Sequence, residues 1–417
     1  MDVCSMGRRV TFVGINYPPE RTGIAPYTGA MARRLAERAA VIRVVTAQPH
    51  YPEWRIHEGY GGWRTRETLD GVTVDRVRHL VPRRPQGLPR LVSEVTFGVR
   101  AALSRWGRPQ AVVLVSPALF SSAIAAVRAR VRHRDASVTV WVQDLYGRGI
   151  AEATGEQGTV AKVVRAVEGR LLRDADRVVV IHDRFRAAVV ADYGVDPDRV
   201  QVVRNWTHLP AHAPIDRAHA RAERGWASET VVLHAGNMGV KQGLEHVVTA
   251  ARLAQERGVP VRFVLLGDGG ERARLEREAA GLRNIEFIRP LDDEAFRGAL
   301  AAADVLLVHE APGVVEMAVP SKLTSYFDAA RPVVAATSPV GITAEEVRAA
   351  RAGVVVESGD PAALVEAIVE LTARPDRGDA LGANGRAYRD AVLTEGAAVE
   401  AFASLLGIDA ELDAVEA

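Results

Sequence analysis

The sequence predicts an α/β protein built as two doubly wound, Rossmann-like domains with a cleft between them. Three observations point there. Short, continuous apolar runs alternate with helical stretches from end to end, as in parallel strands covered by helices on both faces. At 417 residues the chain is too long for one ordinary core. The alternation breaks once, at residues 205–214 (NWTHLPAHAP), where two prolines, two histidines and no periodicity mark a linker.

Taken in order, the first half offers strands at 10–14, 41–46, 72–77, 111–115, 138–142, 178–181 and 200–203. Helical patterns lie between most of them, as at 25–39, 90–105 and 161–172. The second half repeats the habit, with strands at 231–235, 262–266, 285–288, 305–308, 333–336 and 354–356. Helices such as 244–257 and 272–280 separate these. The expected boundaries are 1–205 for the first domain, 206–214 for the linker, 215–395 for the second domain and 396–417 for a final helix that crosses back to the first. In such sheets ligands bind beyond the carboxyl ends of the strands.

Composition narrows the class. Hydrophobic content of 48% and charged content of 25% describe a globular chain, not a disordered one. The single cysteine, Cys4, excludes a disulfide framework and suits a reducing cytoplasm. Residues 111–127 are almost uncharged, but Ser116-Pro117 and Ser121-Ser122 interrupt them short of the ~20 apolar residues a span needs. Charge is unevenly shared. Residues 1–204 carry 32 Lys+Arg against 20 Asp+Glu (net +12), and the remainder carries 21 against 32 (net −11), which together give the chain's +1. A basic first half, with Arg83, Arg84, Arg90, Arg128, Arg130, Arg132 and Arg134, suits either a solvated surface or peripheral contact with an anionic membrane. No aromatic-basic interleaving accompanies the charge, so nucleic acid is not expected as a partner.

Only three lysines occur, Lys162, Lys241 and Lys322. In so arginine-biased a sequence, a lysine draws notice as a compact point charge for phosphate. Lys241 lies in His234-Ala-Gly-Asn-Met-Gly-Val-Lys-Gln-Gly243, which follows an apolar strand and opens a helix. Gly236 and Gly239 allow a tight turn, and free backbone N–H groups beside a lysine make a plausible diphosphate cradle. No GK[ST] exists, so this is not a Walker loop. Lys322 follows another strand, in Pro320-Ser321-Lys322 at a predicted helix start. The competing reading of each is an ordinary first-turn lysine. The first strand leads into a loop with Gly23 before a helix, a weak signal for backbone approach to an anion.

These pieces together resemble glycosyltransferase family 4, especially the branch concerned with colanic acid and related exopolysaccharides. The resemblance spans nearly the whole chain. It rests on Ile15-Asn-Tyr-Pro-Pro-Glu20 with Thr22-Gly23-Ile24, Tyr51-Pro-Glu-Trp54, Gln143-Asp144 and Asn205-Trp206. It continues through Gly236-Asn-Met-Gly-Val-Lys-Gln-Gly-Leu244, Gly267-Asp-Gly269, Pro320-Ser-Lys-Leu323 and Arg331-Pro-Val-Val334. The resemblance implies a GT-B fold and transfer of a hexose from a nucleoside-diphosphate sugar to a hydroxyl acceptor, with anomeric retention and without metal or other cofactor. The acceptor is then a glycan, a glycolipid or a specialised metabolite. If it is lipid-linked, the protein works at the inner face of the cell membrane. On this reading Lys241 and Asp144 are the catalytic candidates. Gly23, Gly236, Asn237, Lys241, Gly267, Ile288, Pro320, Ser321, Lys322, Leu323 and Ser325 bind the donor. Tyr17, Thr22, Gln143, Asp144 and His182 stand on the acceptor side.

The sequence departs from the family in two places. Where many members carry a Glu-x7-Glu pair, the second holding the ribose, this chain has Met317 and Ser325, with Glu316 one position off. Where many pair the lysine with an arginine, it has Asn237. The rival readings are another GT-B nucleotide-sugar enzyme, an epimerase or hydrolase, and a non-catalytic sugar-nucleotide-binding partner protein. Asp292-Asp293 reads as a helix cap before a metal pair. Trp54, Tyr60 and Trp63 suit sugar stacking or loop packing.

Overall fold

The structure, a computed structural model, describes residues 7–21, 23–83, 87–147, 158–207, 215–314 and 322–408. The chain divides into two compact units, one of residues 1–208 with 395–417, the other of residues 209–394.

The N-terminal unit is built on eight strands: β1 (Arg9–Val13), β2 (Val41–Ala47), β3 (Arg64–Leu69), β4 (Val72–Val77), β5 (Ala111–Val115), β6 (Ser137–Val142), β7 (Arg177–Val180) and β8 (Val200–Val202). Their order is β3-β4-β2-β1-β5-β6-β7-β8, parallel except for β3. Central strands such as β5 are buried at every residue, which is why they read as unbroken apolar runs. β3 is absent from the sequence reading because RTRETL is polar and lies mostly exposed at the sheet edge. The legible signal was the turn. Asp70 and Gly71 both have positive φ (47° and 76°) between the paired residues Leu69 and Val72, a two-residue hairpin. Helix Glu395–Leu406 belongs to this unit, with Phe402 edge-on to Trp141 (centroids 4.7 Å apart) and Glu395 paired to Arg34 at 3.1 Å.

The C-terminal unit carries β9 (Thr230–Ala235), β10 (Val261–Leu266), β11 (Ile285–Ile288), β12 (Val305–His309), β13 (Val333–Ala336) and β14 (Gly353–Val356). All are parallel, in the order β11-β10-β9-β12-β13-β14. Two apolar clusters cover the two faces of this sheet, as the alternation of strands and helices requires. Neighbours in the order reverse direction around β9 and β12, so the loops after these strands diverge at the switch point where such folds bind ligands.

Candidate donor and acceptor sites

The loop after β9 is shaped by glycines meeting backbone. Gly267 has φ +141°, and a side chain there would place its Cβ 1.9 Å from the Gly236 oxygen. Gly269, at φ +157°, would put one 2.4 Å from the Met238 oxygen. Nothing larger fits, and Met238 donates its N–H to the Asp268 oxygen at 2.8 Å. The β10 loop thus buttresses the β9 loop. Gly267 acts through this packing, and Ile288 joins it by accepting the Gly267 N–H at 2.9 Å.

Lys322 reaches this loop. A Cβ on Gly236 (φ +133°) would meet its Nζ at 3.4 Å, so the glycine keeps the backbone open beside the ammonium. Nζ also lies 3.3 Å from Nε2 of His234, a residue with no exposed surface. Burial first, then the neighbouring Lys322 charge, holds the His234 pKa far below its ordinary value. A neutral imidazole therefore accepts from the ammonium and fixes its direction. Burial also lowers the Lys322 pKa to about 8, against the opposing pull of Glu310. Glu310, at the end of β12, accepts from the hydroxyls of Thr337 and Thr343 (2.6 Å to the latter). His309 is likewise held neutral, its pKa lowered to about 4 mainly by burial, while its Nδ1 meets the Gln242 oxygen at 2.7 Å.

Lys241 sits exposed in a short 3-10 turn, and its backbone oxygen accepts from Ala311 at 2.8 Å. Asn237 is exposed at the same loop, its Nδ2 3.3 Å from Gln242 Oε1. The carboxyl edge of this sheet therefore gathers Gly236, Asn237, Lys241, Gly267, Ile288 and Lys322. Leu323 is buried in the core, and Ser325 is buried and lines a pocket with Arg297 and Arg331. The positions Pro320, Ser321, Met317 and Glu316 lie outside the described residues, as does Thr22.

In the N-terminal unit a buried carboxylate, Glu20, joins two loops of the corresponding edge. Glu20 accepts the backbone N–H groups of His50 (2.8 Å) and Tyr51 (2.9 Å) and the amide of Asn16 (2.8 Å). It thus ties the loop after β1 to the loop after β2. Gly23 (φ +66°) lies against Tyr51, leaving 3.5 Å to a built Cβ. Gln143 follows β6 and accepts from Asn205 at 2.9 Å. Asp144 is half-buried beside it, and the Tyr51 pKa is raised by burial, which Arg90 opposes and the charges of Glu20 and then Asp144 reinforce. Tyr17 is packed into the core, and burial accounts for its place. His182 caps helix Asp183–Tyr193, accepting the Arg184 N–H at 3.1 Å. Asp292 caps helix Asp293–Ala302 in the same way, accepting from Ala295 at 2.9 Å.

The sequence reading missed Glu20 as a clamp and missed a second group at this edge. Arg90 stacks over Trp54 (5.4 Å) and Tyr146 (6.0 Å), and Glu94 accepts from both Arg90 (3.4 Å) and the Tyr146 hydroxyl (3.1 Å). Trp54 is thereby an aromatic wall. Tyr60 and Trp63 instead lie under Arg76 and Arg100. Among the described residues no group of three His, Cys, Asp or Glu is placed to hold a metal ion.

Family comparisons follow this division. Residues 22–206 match a glycosyl transferase 4-like domain, and residues 229–374 match glycosyl transferases group 1. Over 334 residues the chain is 34% identical to the "Putative colanic acid biosynthesis glycosyl transferase WcaI" of Escherichia coli (strain K12), covering 76% of this chain and 80% of that protein. The chain belongs to glycosyltransferase family 4. The fold of this glycosyltransferase is GT-B. It superposes on sucrose-phosphate synthase from Thermosynechococcus elongatus with a TM-score of 0.75, at 19% identity, over 95% of this chain and 98% of that one. It also superposes on Anabaena HepE in complex with UDP-glucose, with a TM-score of 0.68 at 17% identity, over 96% and 99%.

Proposed function

We propose that this glycosyltransferase takes a hexose from a nucleoside-diphosphate sugar and passes it to a hydroxyl acceptor with retention, using neither metal nor other cofactor. The observation that carries the reading is the Lys322 ammonium, desolvated and held by His234 beside the open backbone of Gly236. A preorganised cation at that place stabilises charge on a departing diphosphate, worth several kcal/mol where water is excluded. Lys241 adds a second, exposed cation from the same loop. In the reaction the bond from the anomeric carbon to the diphosphate oxygen breaks and a bond to the acceptor oxygen forms on the same face. The acceptor proton passes to the leaving diphosphate oxygen. No strong protein base is then required, and Asp144 serves to orient the acceptor hydroxyl.

The capture of HepE with UDP-glucose and the colanic acid name of the Escherichia coli relative favour a nucleotide sugar and an exopolysaccharide product. A lipid-linked acceptor fits the surface of the N-terminal unit. The neighbouring helices Leu88–Leu103, Leu119–Arg132 and Thr159–Asp174 expose Leu88, Leu103, Val127 and Val160 among arginines. In this reading the contact is peripheral; no helix among the described residues is long and apolar enough to cross a membrane. Thermal unfolding in EDTA with UDP, GDP, dTDP, ADP and CMP tests the donor reading. One diphosphate raises the melting temperature selectively if the reading holds, and absence of any shift at millimolar ligand overturns it.

A further inference from the structure

The turn that carries Lys241 is held by the end of β12. It is a single 3-10 element, Val240–Gln242, closed by two backbone bonds: Gln242 N–H to the Gly239 oxygen at 3.1 Å and Gly243 N–H to the Val240 oxygen at 3.2 Å. So short a turn is weak by itself, because its hydrogen bonds are poorly aligned. Val240 is 73% exposed and Lys241 is exposed, so their side chains do little to anchor it. Its carbonyls are tied instead. The Lys241 oxygen accepts the Ala311 N–H at 2.8 Å, and the Gln242 oxygen meets Nδ1 of His309 at 2.7 Å. Gly243, at φ +55°, closes the turn against Ala311, where a built Cβ would come within 2.9 Å of the Ala311 Cα.

His309 is the last residue of β12 and is 2% exposed. The residues before it, Val305, Leu306, Leu307 and Val308, are aliphatic and buried. Another aliphatic residue would continue that core and give the Gln242 carbonyl no donor. A carbonyl oxygen only accepts, so Nδ1 carries the proton of this neutral ring. The ring also lies nearly parallel to that of His246 in the first turn of helix Glu245–Glu256, with centroids 5.8 Å apart and 18° between the planes. Gln242 extends the tie forward, since its side-chain oxygen accepts the Gly239 N–H at 3.0 Å and the Asn237 amide at 3.3 Å.

We propose that His309 is a positioning residue for the donor, which through the Gln242 carbonyl holds the turn so that Lys241 stays at the diphosphate. The inference rests on the donor reading given above. Lysine carries its charge on a flexible four-carbon stem, so where the ammonium can reach is set by the backbone beneath it. A backbone fixed by a buried hydrogen bond has less freedom left to lose when the ligand binds. His309 acts through the turn and touches neither the substrate nor the reacting atoms.

Isothermal titration of the full chain with UDP, GDP, dTDP and ADP in EDTA tests the assignment. The proteins compared are wild type, Lys241→Ala, His309→Phe, His309→Asn and the double variant Lys241→Ala/His309→Phe, with circular dichroism confirming that each folds. Phenylalanine keeps a buried ring and removes the donor, whereas asparagine keeps an N–H close to the place of Nδ1. Affinity for the tightest-binding diphosphate is expected to fall at least ~5-fold in His309→Phe and to stay within ~2-fold of wild type in His309→Asn. When Lys241 is already alanine, His309→Phe is expected to cost no more than ~2-fold further, because the two residues act along one path. An equal loss from His309→Phe with and without Lys241 would mark a general structural effect and overturn the proposal. Wild-type affinity in His309→Phe, or a loss in His309→Asn as large as in His309→Phe, overturns it as well. Wild-type protein that binds none of the four diphosphates overturns the donor reading itself, and the role of His309 falls with it.

Discussion

The carboxyl edges of the two sheets occupy equivalent places in related folds and are built from opposite chemistry. In the C-terminal unit the edge presents cations and bare backbone: Lys241, Lys322 and the glycines of two abutting loops. The carboxylate of Glu310 beside it is occupied by threonine hydroxyls. In the N-terminal unit the edge is built around the buried carboxylates Glu20 and Glu94, with Asp144, the rings of Trp54 and Tyr146, and Arg90 stacked on both rings. The overall charges run the other way, since the first half of the chain is net basic and the second net acidic. Local charge at the site, not the balance of the domain, follows the chemistry. A diphosphate needs cations where charge develops, and a sugar hydroxyl needs acceptors and a stacking face.

The comparison breaks most sharply at Lys322. Replacing it with alanine removes a charge-assisted contact, expected to weaken diphosphate binding about 10- to 100-fold and to lower kcat by on the order of a hundredfold. Calorimetry and initial rates measure both. If the two edges divide the work as described, the KM for acceptor moves little in this variant.

On the other side, Glu20→Ala strands two backbone N–H groups inside the clamp and should cost about 2–4 kcal/mol of stability, read by denaturant unfolding. Arg90→Ala opens the aromatic wall without touching the donor loop. A rise in acceptor KM of about tenfold with unchanged diphosphate affinity is the expected outcome. A loss of diphosphate affinity instead would erase the division between the edges.

The pH dependence is smaller and has a definite sign. Folding lowers the Lys322 pKa from its ordinary value to about 8, so the ammonium is charged at neutral pH and is lost as pH rises through 8. The same depression costs stability below pH 8, and that cost fades towards the unfolded value. Accordingly kcat/KM for the donor falls above pH 8, and Lys322→Arg flattens this limb.

Much of this was legible in the sequence, for identifiable reasons. Continuous apolar strands announced the parallel sheets, and the rarity of lysine singled out Lys241 and Lys322. The spacing of Gly236 and Gly239 marked a tight turn after a strand, although not that this loop meets the loop of Gly267 and Gly269. The partners were hidden wherever contact depends on tertiary distance. His234 lies 88 residues from Lys322, and Glu20 lies 30 residues from His50. β3 was missed because an exposed edge strand has no apolar alternation to detect.

The central claim is that the carboxyl edge of the C-terminal sheet binds the donor diphosphate through Lys322. Its most direct test is calorimetric titration of wild type and Lys322→Ala with the diphosphate that the thermal screen selects, at pH 7 in EDTA. The account predicts metal-free binding by wild type and a loss of at least tenfold in the variant. Equal affinity in the two proteins, with both folded, would contradict it.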